Sequence, residues 1–531
     1  MKKILILILV ISAGSCTDML DQTDPTRPTG ETFFATSNDL QQAVVAAYSG
    51  LSTTGDNSPE SFHRRGIVGF EQFSDNVYNG SSTTDGPHAT WTTFNYDPQD
   101  RNIRDGYRAL YELINQCNQV ITLGPQADVS EEELKQAVAE VTFLRGFAYF
   151  FLTQVWGAVP IVTELPDDPA GFAPEASSAE AVYEQAIADL QLAEADLSPE
   201  AAQGGRVTSW AAKAMLAKVY LFGADELGRS EWYGLSEQKA AEVVNDGPYG
   251  LFNDPDATPL ENLISIFQTF NENGQEHIFT VNHFNSGGNW SDANVGSQFP
   301  MAMNPRQMRN NNNMWGFGWT YVYEGVPVLW NEADARREYN IWFQGEPIIV
   351  NGDTTGFYDQ TNQNRCCARP NGLGFQKFWY QESSKNVNGI STLGFPVLRY
   401  ADLLLIHAEA DLLSDGALSP AGLASLNAVR NRAGLDDLTL GEVTVETILE
   451  ERRWELFGEA KRWFDFMRKR NSMPNWINEA FAELEAADTD GDDGNDIAAF
   501  TPERHWKLPY PQSAIERNPN LTQKPVWAAS E

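Results

Sequence analysis

Cysteine is scarce in this chain, with four residues among 531. Cys16 lies in a leader-like stretch, which leaves three cysteines for the folded part. Because three is an odd number and the chain is long, a disulfide framework of the kind that stabilises small secreted domains is excluded. Cys117 falls in a predicted helix, where we expect a buried thiol. The adjacent Cys366 and Cys367 suit either a vicinal disulfide or two free thiols.

Signatures of catalysis are also missing. The chain has no Gly-x-Ser-x-Gly elbow, no Walker-type phosphate loop and no His-Glu-x-x-His motif. Only His277 and His283 lie near each other, and their spacing suits no common zinc site. His407, inside an apolar helix, is predicted to be a hydrogen-bonded core residue. Because 73 carboxylates supply acid pairs by chance, such pairs are no sign of a glycoside hydrolase. We predict a non-enzyme with no catalytic residue, metal or cofactor.

Basic residues are few relative to acidic ones. The chain has 37 Lys and Arg against 73 Asp and Glu, a formal net charge of −36. Such a surface repels nucleic acid and anionic lipid over distances comparable to the Debye length, so no nucleic-acid partner is expected. The charge also disfavours a polyanionic ligand and favours a neutral one.

The first stretch, "MKKILILILVISAGSCTD", is typical of a processing signal. Lys2 and Lys3 precede an apolar run, Ile4 to Ile11, that is too short to span a bilayer comfortably. "SAGSC" resembles a bacterial lipobox, with Ser12 where a bulky aliphatic residue is usual. We expect cleavage of residues 1–15 and lipidation of Cys16. Two or more acyl chains would then anchor the protein stably in a membrane. A plain secretory signal is the alternative.

Beyond a polar tether at 16–30, the pattern predicts a mostly α fold. In "EEELKQAVAEVTFLRGFAYFFLTQVWGAVPIVTE", acids open a helix and Leu134, Val138, Val141 and Leu144 form one apolar stripe. Paired helices of this length indicate a tetratricopeptide-like scaffold without a strict repeat. Residues 251–396 differ: Asn, Gly and aromatics rise, and short alternating segments predict a long irregular insertion with short strands. We expect one domain, 31–531, with helices at 31–250 and 397–531.

Six segments carry a resemblance to a known family: "FLRGFAYFFLTQVWGAVPIVTE", "RVTSWAAKAMLAKVYLFG", "PVLRYADLLLIHAEA", "LNAVRNRAGL", "ILEERRWELFGEAKRWFDFMR" and "LPYPQSAIERNPNLTQKP". In kind and order they resemble the SusD/RagB family of outer-membrane glycan-binding lipoproteins of Bacteroidetes. The resemblance spans nearly the whole mature chain. It implies a tetratricopeptide-like scaffold, display at the cell surface, and a lid-like role over a SusC-type, TonB-dependent transporter.

Two regions are candidates for ligand binding. One holds Asp75, Asn76 and Trp91 in a polar, loop-like setting, where "SDN" resembles a recurrent segment of the family's early binding loop. The other is the irregular region with Trp290 and the stretch "NNNNMWGFGWTYVYEG". There every second residue from Trp315 is aromatic: Trp315, Phe317, Trp319, Tyr321 and Tyr323.

Residues two apart share one face of a strand, so these rings form a flat strip. Such a strip suits the stacking of sugar rings, while amides and carboxylates bind hydroxyls. We assign ligand contact to Trp290, Trp315, Trp319 and Tyr321, and expect Gly316 and Gly318 to leave the segment thin and accessible. The alternative is a half-buried strand, and we expect Phe317 and Tyr323 to belong to the core in any case.

Two charged segments have plainer explanations. The run Asp488 to Asp496 could bind calcium, but as an EF-hand loop it has Asp493 where glycine is needed and Ala499 where glutamate belongs, so a surface loop is expected. Arg452, Arg453 and Arg462 lie at helical spacing among aromatics, which is typical of ion pairs between helices.

These observations predict a lipid-anchored, non-catalytic protein that captures oligosaccharides at the cell surface and delivers them to a SusC-type transporter. The net charge favours a neutral glycan, and a β-glucan is one candidate. A surface glycoside hydrolase and a tetratricopeptide-like adaptor that binds only protein are the alternatives.

Overall fold

A computed structural model describes most of the chain. The described residues are 33–51, 68–79, 90–166, 168, 171–268, 271, 273–283, 297, 299–305, 316, 318–350, 352–359, 373–379, 386–387, 390–488 and 500–528. Helices dominate, as predicted. They are α1 Ser37–Ser49, α2 Val68–Gln72, α3 Arg101–Leu123, α4 Glu131–Trp156, α5 Ala179–Asp196, α6 Ser209–Leu227, α7 Glu231–Asp246, α8 Pro259–Ile266, α9 Phe299–Met303, α10 Val326–Leu329, α11 Ala335–Asn340, α12 Tyr400–Asp415, α13 Pro420–Arg432, α14 Val445–Glu455, α15 Arg462–Lys469, α16 Trp476–Ala487, α17 Pro502–His505 and α18 Gln512–Arg517.

The long helices pack one on the next in chain order. Helix α4 packs between α3 and α5, α6 packs on α5 and α7, and α7 packs on α12. Gly146 of α4 permits one of these close approaches, because a Cβ there would lie 3.1 Å from the carbonyl oxygen of Ala186 in α5. Cys117, on α3, is fully buried as predicted. The series confirms a mostly α, tetratricopeptide-like scaffold.

Local signals explain where α4 begins and ends. The Ser130 hydroxyl accepts a hydrogen bond from the backbone N–H of Glu133. Three glutamates in the first turn, beginning at Glu131, face the positive end of the helix dipole. Gly157 follows the last turn at φ 73°, a conformation that a residue with a side chain rarely adopts. Because these features lie within one turn of each helix end, the sequence pattern predicts where α4 begins and ends.

The strands are short and lie mainly in the predicted irregular region. They are β1 Val77–Asn79, β2 His277–Val281, β3 Thr320–Val322, β4 Ile341–Trp342, β5 Pro347–Val350, β6 Asp353–Phe357, β7 Leu373–Phe375, β8 Asn386–Val387, β9 Ile390–Ser391 and β10 Phe395–Arg399. Strands β1, β3, β7 and β4 form, in that order, an antiparallel sheet. The remaining strands pair as β2–β10, β5–β6 and β8–β9.

A dense set of buried charges joins the helices to the irregular region. Arg399 donates from Nη1 to Glu276 at 2.8 Å and to Glu455 at 2.6 Å. Lys377 donates from Nζ to Glu459 at 2.7 Å. These side chains are all under 3 % exposed. Because each belongs to a different element or loop, the ion pairs fix the irregular region against α14. Within the described ranges, no helix is long and apolar enough to cross a membrane.

Candidate functional site

The aromatic strip belongs to the central sheet. Strand β3 lies between β1 and β7, with Tyr321 opposite Tyr78 on one side and Gly374 on the other. Trp319, Tyr321 and Tyr323 are only 2–3 % exposed, and the Tyr78 ring centre lies 5.1 Å from that of Tyr323. The prediction that Tyr323 is a core residue is confirmed. Trp319 and Tyr321 are buried in the core as well, and the Tyr321 ring stacks on that of Tyr78 with centroids 6.1 Å apart.

Gly316 has a role that differs from the predicted one. A Cβ at this position would stand 2.1 Å from the carbonyl oxygen of Pro305. The glycine therefore lets two backbone segments touch, and the expectation that it keeps the segment thin and accessible is wrong. Gly318 has φ 66°, and its N–H donates to the carbonyl of Asn304 at 3.0 Å. Phe317, Trp315 and Trp290 lie outside the described residues.

Asp75 and Asn76 are fully buried. The Asp75 carboxylate accepts from Nε and Nη2 of Arg462, at 2.9 and 3.0 Å, and lies 3.0 Å from Nη2 of Arg453. Burial by itself would raise the pKa of Asp75, but the two guanidiniums outweigh it and hold the pKa below its usual value. Asn76 donates to Glu71 at 3.1 Å and accepts from Arg453 at 3.0 Å. Both side chains are therefore engaged in ion pairs or hydrogen bonds inside the protein.

Trp91 is also a core residue, 1 % exposed. Its ring stacks on Phe73 with centroids 4.9 Å apart, and its Nε1 donates to Asp100 at 3.3 Å. Five of the seven predicted ligand residues are therefore buried behind the surface: Asp75, Asn76, Trp91, Trp319 and Tyr321. A ligand would reach them only if the surrounding segments moved apart. Contact of these residues with a glycan stays a prediction.

The other two predicted ligand residues, Trp290 and Trp315, precede α9 and β3 in the sequence, and α9 and β3 meet at one end of the sheet. Strand β1 ends at Asn79, which pairs with Thr320 at the start of β3. Residues 80–89 continue from Asn79, and the segment containing Trp315 leads into Thr320. Helix α9 follows the segment containing Trp290, and it contacts the same point, since Met303 Sδ lies 3.4 Å from Thr320 Oγ1. Asn79, Thr320 and Met303 therefore lie together at one end of the sheet.

Asn304 adds a polar group at this end that the sequence pattern did not single out. It is 1 % exposed, and neither Oδ1 nor Nδ2 has a hydrogen-bond partner within the described part of the chain. A buried amide without partners costs free energy. The one sequence feature that could have drawn attention to Asn304 is its position shortly before the asparagines at 310–313, and that position does not predict burial.

The arginines predicted to be structural are confirmed as such. Arg452 donates to Asp402 at 2.8 Å and to Asp465 at 3.2 Å. Arg453 and Arg462 share Asp75, as described above. His407 is confirmed as a core histidine: it is 3 % exposed, and its Nδ1 lies 2.8 Å from Ser425 Oγ. Burial, ahead of a smaller opposite effect of Asp411, lowers the pKa of His407.

A small cavity of about 40 Å³ lies beside Lys461 among phenylalanine rings, including Phe70 and Phe395. Lys461 Nζ donates to the carbonyl of Val397 at 2.8 Å. Burial lowers the pKa of Lys461 to about 7, and the charge of Lys218 adds to the effect. A space of this size has room for water but not for a sugar ring, so the cavity is not the glycan site.

No group of three or more His, Cys, Asp or Glu suited to a metal occurs in the described ranges. The run Asp488 to Asp496 lies, after its first residue, outside those ranges. His277 and His283 stand at the start of β2 and just after its end, and burial lowers the pKa of both, that of His283 to about 4.

Two protein-family models match the chain. One, described as "SusD family", matches residues 268–527, and the other, "Starch-binding associating with outer membrane", matches residues 24–221. Together they cover most of the sequence. The chain is 25 % identical to a SusD-like protein of Bacteroides ovatus, over 99 % of this chain and 98 % of that protein. It is 23 % identical to the starch-binding protein SusD of Bacteroides thetaiotaomicron, over 97 % of each chain.

Solved structures show the same fold. A SusD homolog from Bacteroides thetaiotaomicron has a TM-score of 0.76 at 18 % identity and covers 95 % of this chain and 100 % of its own. Surface glycan-binding protein A from Bacteroides thetaiotaomicron, solved with laminarihexaose, has a TM-score of 0.71 at 23 % identity, covering 92 % of this chain and 99 % of its own.

Proposed function

The chain belongs to the SusD/RagB family, and we propose that it captures oligosaccharides at the cell surface and delivers them to a SusC-type, TonB-dependent outer-membrane transporter. The single observation that supports this most is the match of residues 24–221 to a model described as "Starch-binding associating with outer membrane". The protein binds its glycan without breaking it, and lipid on Cys16 anchors it in the outer membrane.

The glycan binds at the end of the sheet marked by Asn79 and Thr320. Trp290 and Trp315 stack on sugar rings. In the sequence, Trp315 lies five residues before Thr320, and Trp290 lies nine residues before the start of α9. The asparagines at 310–313 bind hydroxyl groups from the same segment. The buried residues behind them hold the strands in place: Asp75, Asn76, Trp91, Trp319 and Tyr321.

A neutral glycan fits the formal net charge of −36, since a polyanion would be repelled. Laminarihexaose is the first ligand to test, because a protein of the same fold was solved with it. The proposal extends to neutral β-glucans as a class.

A glycan array followed by affinity electrophoresis tests the proposal. We expect retardation in gels that contain a neutral glucan, with little change on adding salt, and no release of reducing ends on long incubation. Release of reducing ends would instead support a glycoside hydrolase. Co-purification of a transporter with no affinity for any glycan would support a protein-binding adaptor. A steep loss of affinity with salt would indicate an anionic glycan.

A further inference from the structure

A groove of about 1120 Å³ runs along one face of α3, far in the sequence from the proposed glycan site. Its lining residues on α3 recur every three or four positions from Arg104 to Gln119. At 1.5 Å per residue this face is about 22 Å long. Phe33, the first described residue, lines the groove together with α1, and α18 completes the wall.

The groove is positive in a chain that is strongly negative. Its charged lining residues are Arg104, Arg108, Arg517 and a single acid, Glu112. The side chains of Arg104 and Arg108 are each 45 % exposed. Arg104 donates from Nε to the buried Asp105 at 2.9 Å, and its guanidinium has further N–H groups to offer a second acid. Arg108 lies 3.7 Å from Glu112, a loose surface pair. The lining therefore favours an acidic occupant.

Contacts between α1 and α3 set the direction in which the chain enters. A Cβ on Gly124, just after α3, would lie 3.2 Å from Leu40 near the start of α1. A Cβ on Gly50, just after α1, would lie 2.9 Å from Gln116. The two helices are therefore antiparallel. Phe33, which precedes α1, enters at the Gln119 end, and Arg104 and Arg108 lie toward the other end.

We propose that the segment at residues 17–32 of the same chain docks in this groove. This segment, "TDMLDQTDPTRPTGET", has four acids, Asp18, Asp21, Asp24 and Glu31, against one base, Arg27. At about 3.3 Å per extended residue, seven residues cover the 22 Å from Phe33 to the arginines. Asp24, two residues farther along, then lies about 7 Å past that point, within reach of the long Arg104 side chain. Pro25 and Pro28 favour the extended backbone that this path requires.

Docking changes how the body is held at the membrane. Free and extended, the 16 residues from Thr17 to Thr32 would span up to about 55 Å. Laid back along α3, residues 26–32 are held on the body of the protein, and only residues 17–25, about 30 Å when extended, separate the groove from Cys16. The segment is then a short strap of defined direction. This inference does not depend on glycan binding, so either proposal can fail alone.

Hydrogen exchange on the full chain, purified in detergent, tests the proposal, with a synthetic peptide of residues 17–32 as the exposed reference. We expect the amides between Asp24 and Glu31 to exchange about tenfold or more slowly than in the peptide at low salt, because the ion pairs hold the segment against the groove and shield its backbone N–H groups from water. Reversing the groove charges, Arg104→Glu with Arg108→Glu and Arg517→Glu, should bring the exchange to the peptide rate. Adding Asp24→Arg to that variant should restore part of the protection.

Lys135→Glu is the matched control, since it reverses an exposed charge outside the groove and should leave the protection unchanged. Exchange in α4 and α6 reports whether each variant is folded. If the triple variant does not fold, the single variant Arg517→Glu replaces it, and protection should then fall by a smaller factor. Peptide-like exchange in the wild-type protein overturns the proposal. So does protection that survives the charge reversals, or protection that rises with protein concentration, which would mean contact between two copies.

Discussion

Asp75 and Arg462, 387 residues apart in the sequence, form a two-armed ion pair in the core, with Nε–Oδ1 and Nη2–Oδ2 distances of 2.9 and 3.0 Å. Neither side chain is more than 3 % exposed. The pair ties the segment before β1 to the first turn of α15. The Asp75 carboxylate is therefore already paired within the scaffold.

Asp75→Asn should destabilise the protein by about 3–5 kcal/mol, because it leaves the guanidiniums of Arg453 and Arg462 buried with their charge uncompensated. Denaturant unfolding followed by helical circular dichroism measures the change. Asp353→Asn, at an exposed position in β6, is the control and should shift stability by less than about 0.5 kcal/mol. Lost glycan affinity at unchanged stability would make Asp75 a ligand residue after all.

Trp319→Ala should lower stability, whereas Trp315→Ala should lower glycan affinity. Trp319 is 3 % exposed, so its truncation leaves a core cavity and should cost about 3–5 kcal/mol of stability. Trp315→Ala should leave stability nearly unchanged and weaken glycan binding about tenfold, since stacking on an aromatic ring is worth roughly 1–3 kcal/mol. Thermal melts and affinity electrophoresis on both variants separate the two effects. Intact affinity in Trp315→Ala would move the site toward Trp290.

Asn304→Leu should raise the free energy of unfolding by about 1–3 kcal/mol, because it removes a buried amide whose polar atoms have no partner. Asn427→Leu is the matched control. That amide donates to the carbonyl of Leu438 and accepts from its N–H, both at 2.9 Å, so the same substitution should destabilise. Equal losses in the two variants would show that Asn304 is hydrogen-bonded in solution.

Lys461 should make the free energy of unfolding depend on pH. Its pKa is lowered to about 7 in the folded protein, against an ordinary 10.5, so the unfolded chain binds more protons between these values. Stability from this group is therefore lowest below pH 7 and rises as the pH increases toward 10.5. In Lys461→Met this part of the rise should vanish. Unfolding free energies from pH 6.5 to 10 measure it, and parallel curves for the two proteins would contradict the assignment.

The proposed lipidation of Cys16 predicts that Cys16→Ser releases the protein from the membrane fraction, because acyl chains cannot be attached to serine in its place. Fractionation and labelling with radioactive palmitate measure this. Cys117→Ser, which changes a buried thiol, is the control and should stay in the membrane. A serine variant that still labels, or that stays membrane-bound without its transporter, would disprove the lipobox.

The helices and the family were predictable because their signals are local or ordered along the chain. The cap at Ser130 and the acids that follow it lie within one turn of the helix start. The spacing of Arg452, Arg453 and Arg462 predicted ion pairs for the same reason, since it placed them on helices among aromatic residues. What their partners would be was not predictable.

The burial of the candidate site was not predictable, since it depends on distant partners. Asp75 and Asn76 are polar and lie outside long helices, which usually indicates a surface loop, yet their partner Arg453 lies 377 residues or more away. The period of two in the aromatic strip predicts a strand correctly. It does not say that β1 and β7 flank the strand or that Tyr78 covers its rings.

The buried charges make the two ends of the chain dependent on each other as it is synthesised. Glu71, Asp75 and Asp225 are made early, but their partners, the N–H of Ala460, Arg462 and Arg468, come from the last 80 residues or so. Until those arrive, each early acid is more stable in water than in a core. A growing chain therefore cannot complete its core until nearly all of it has been made.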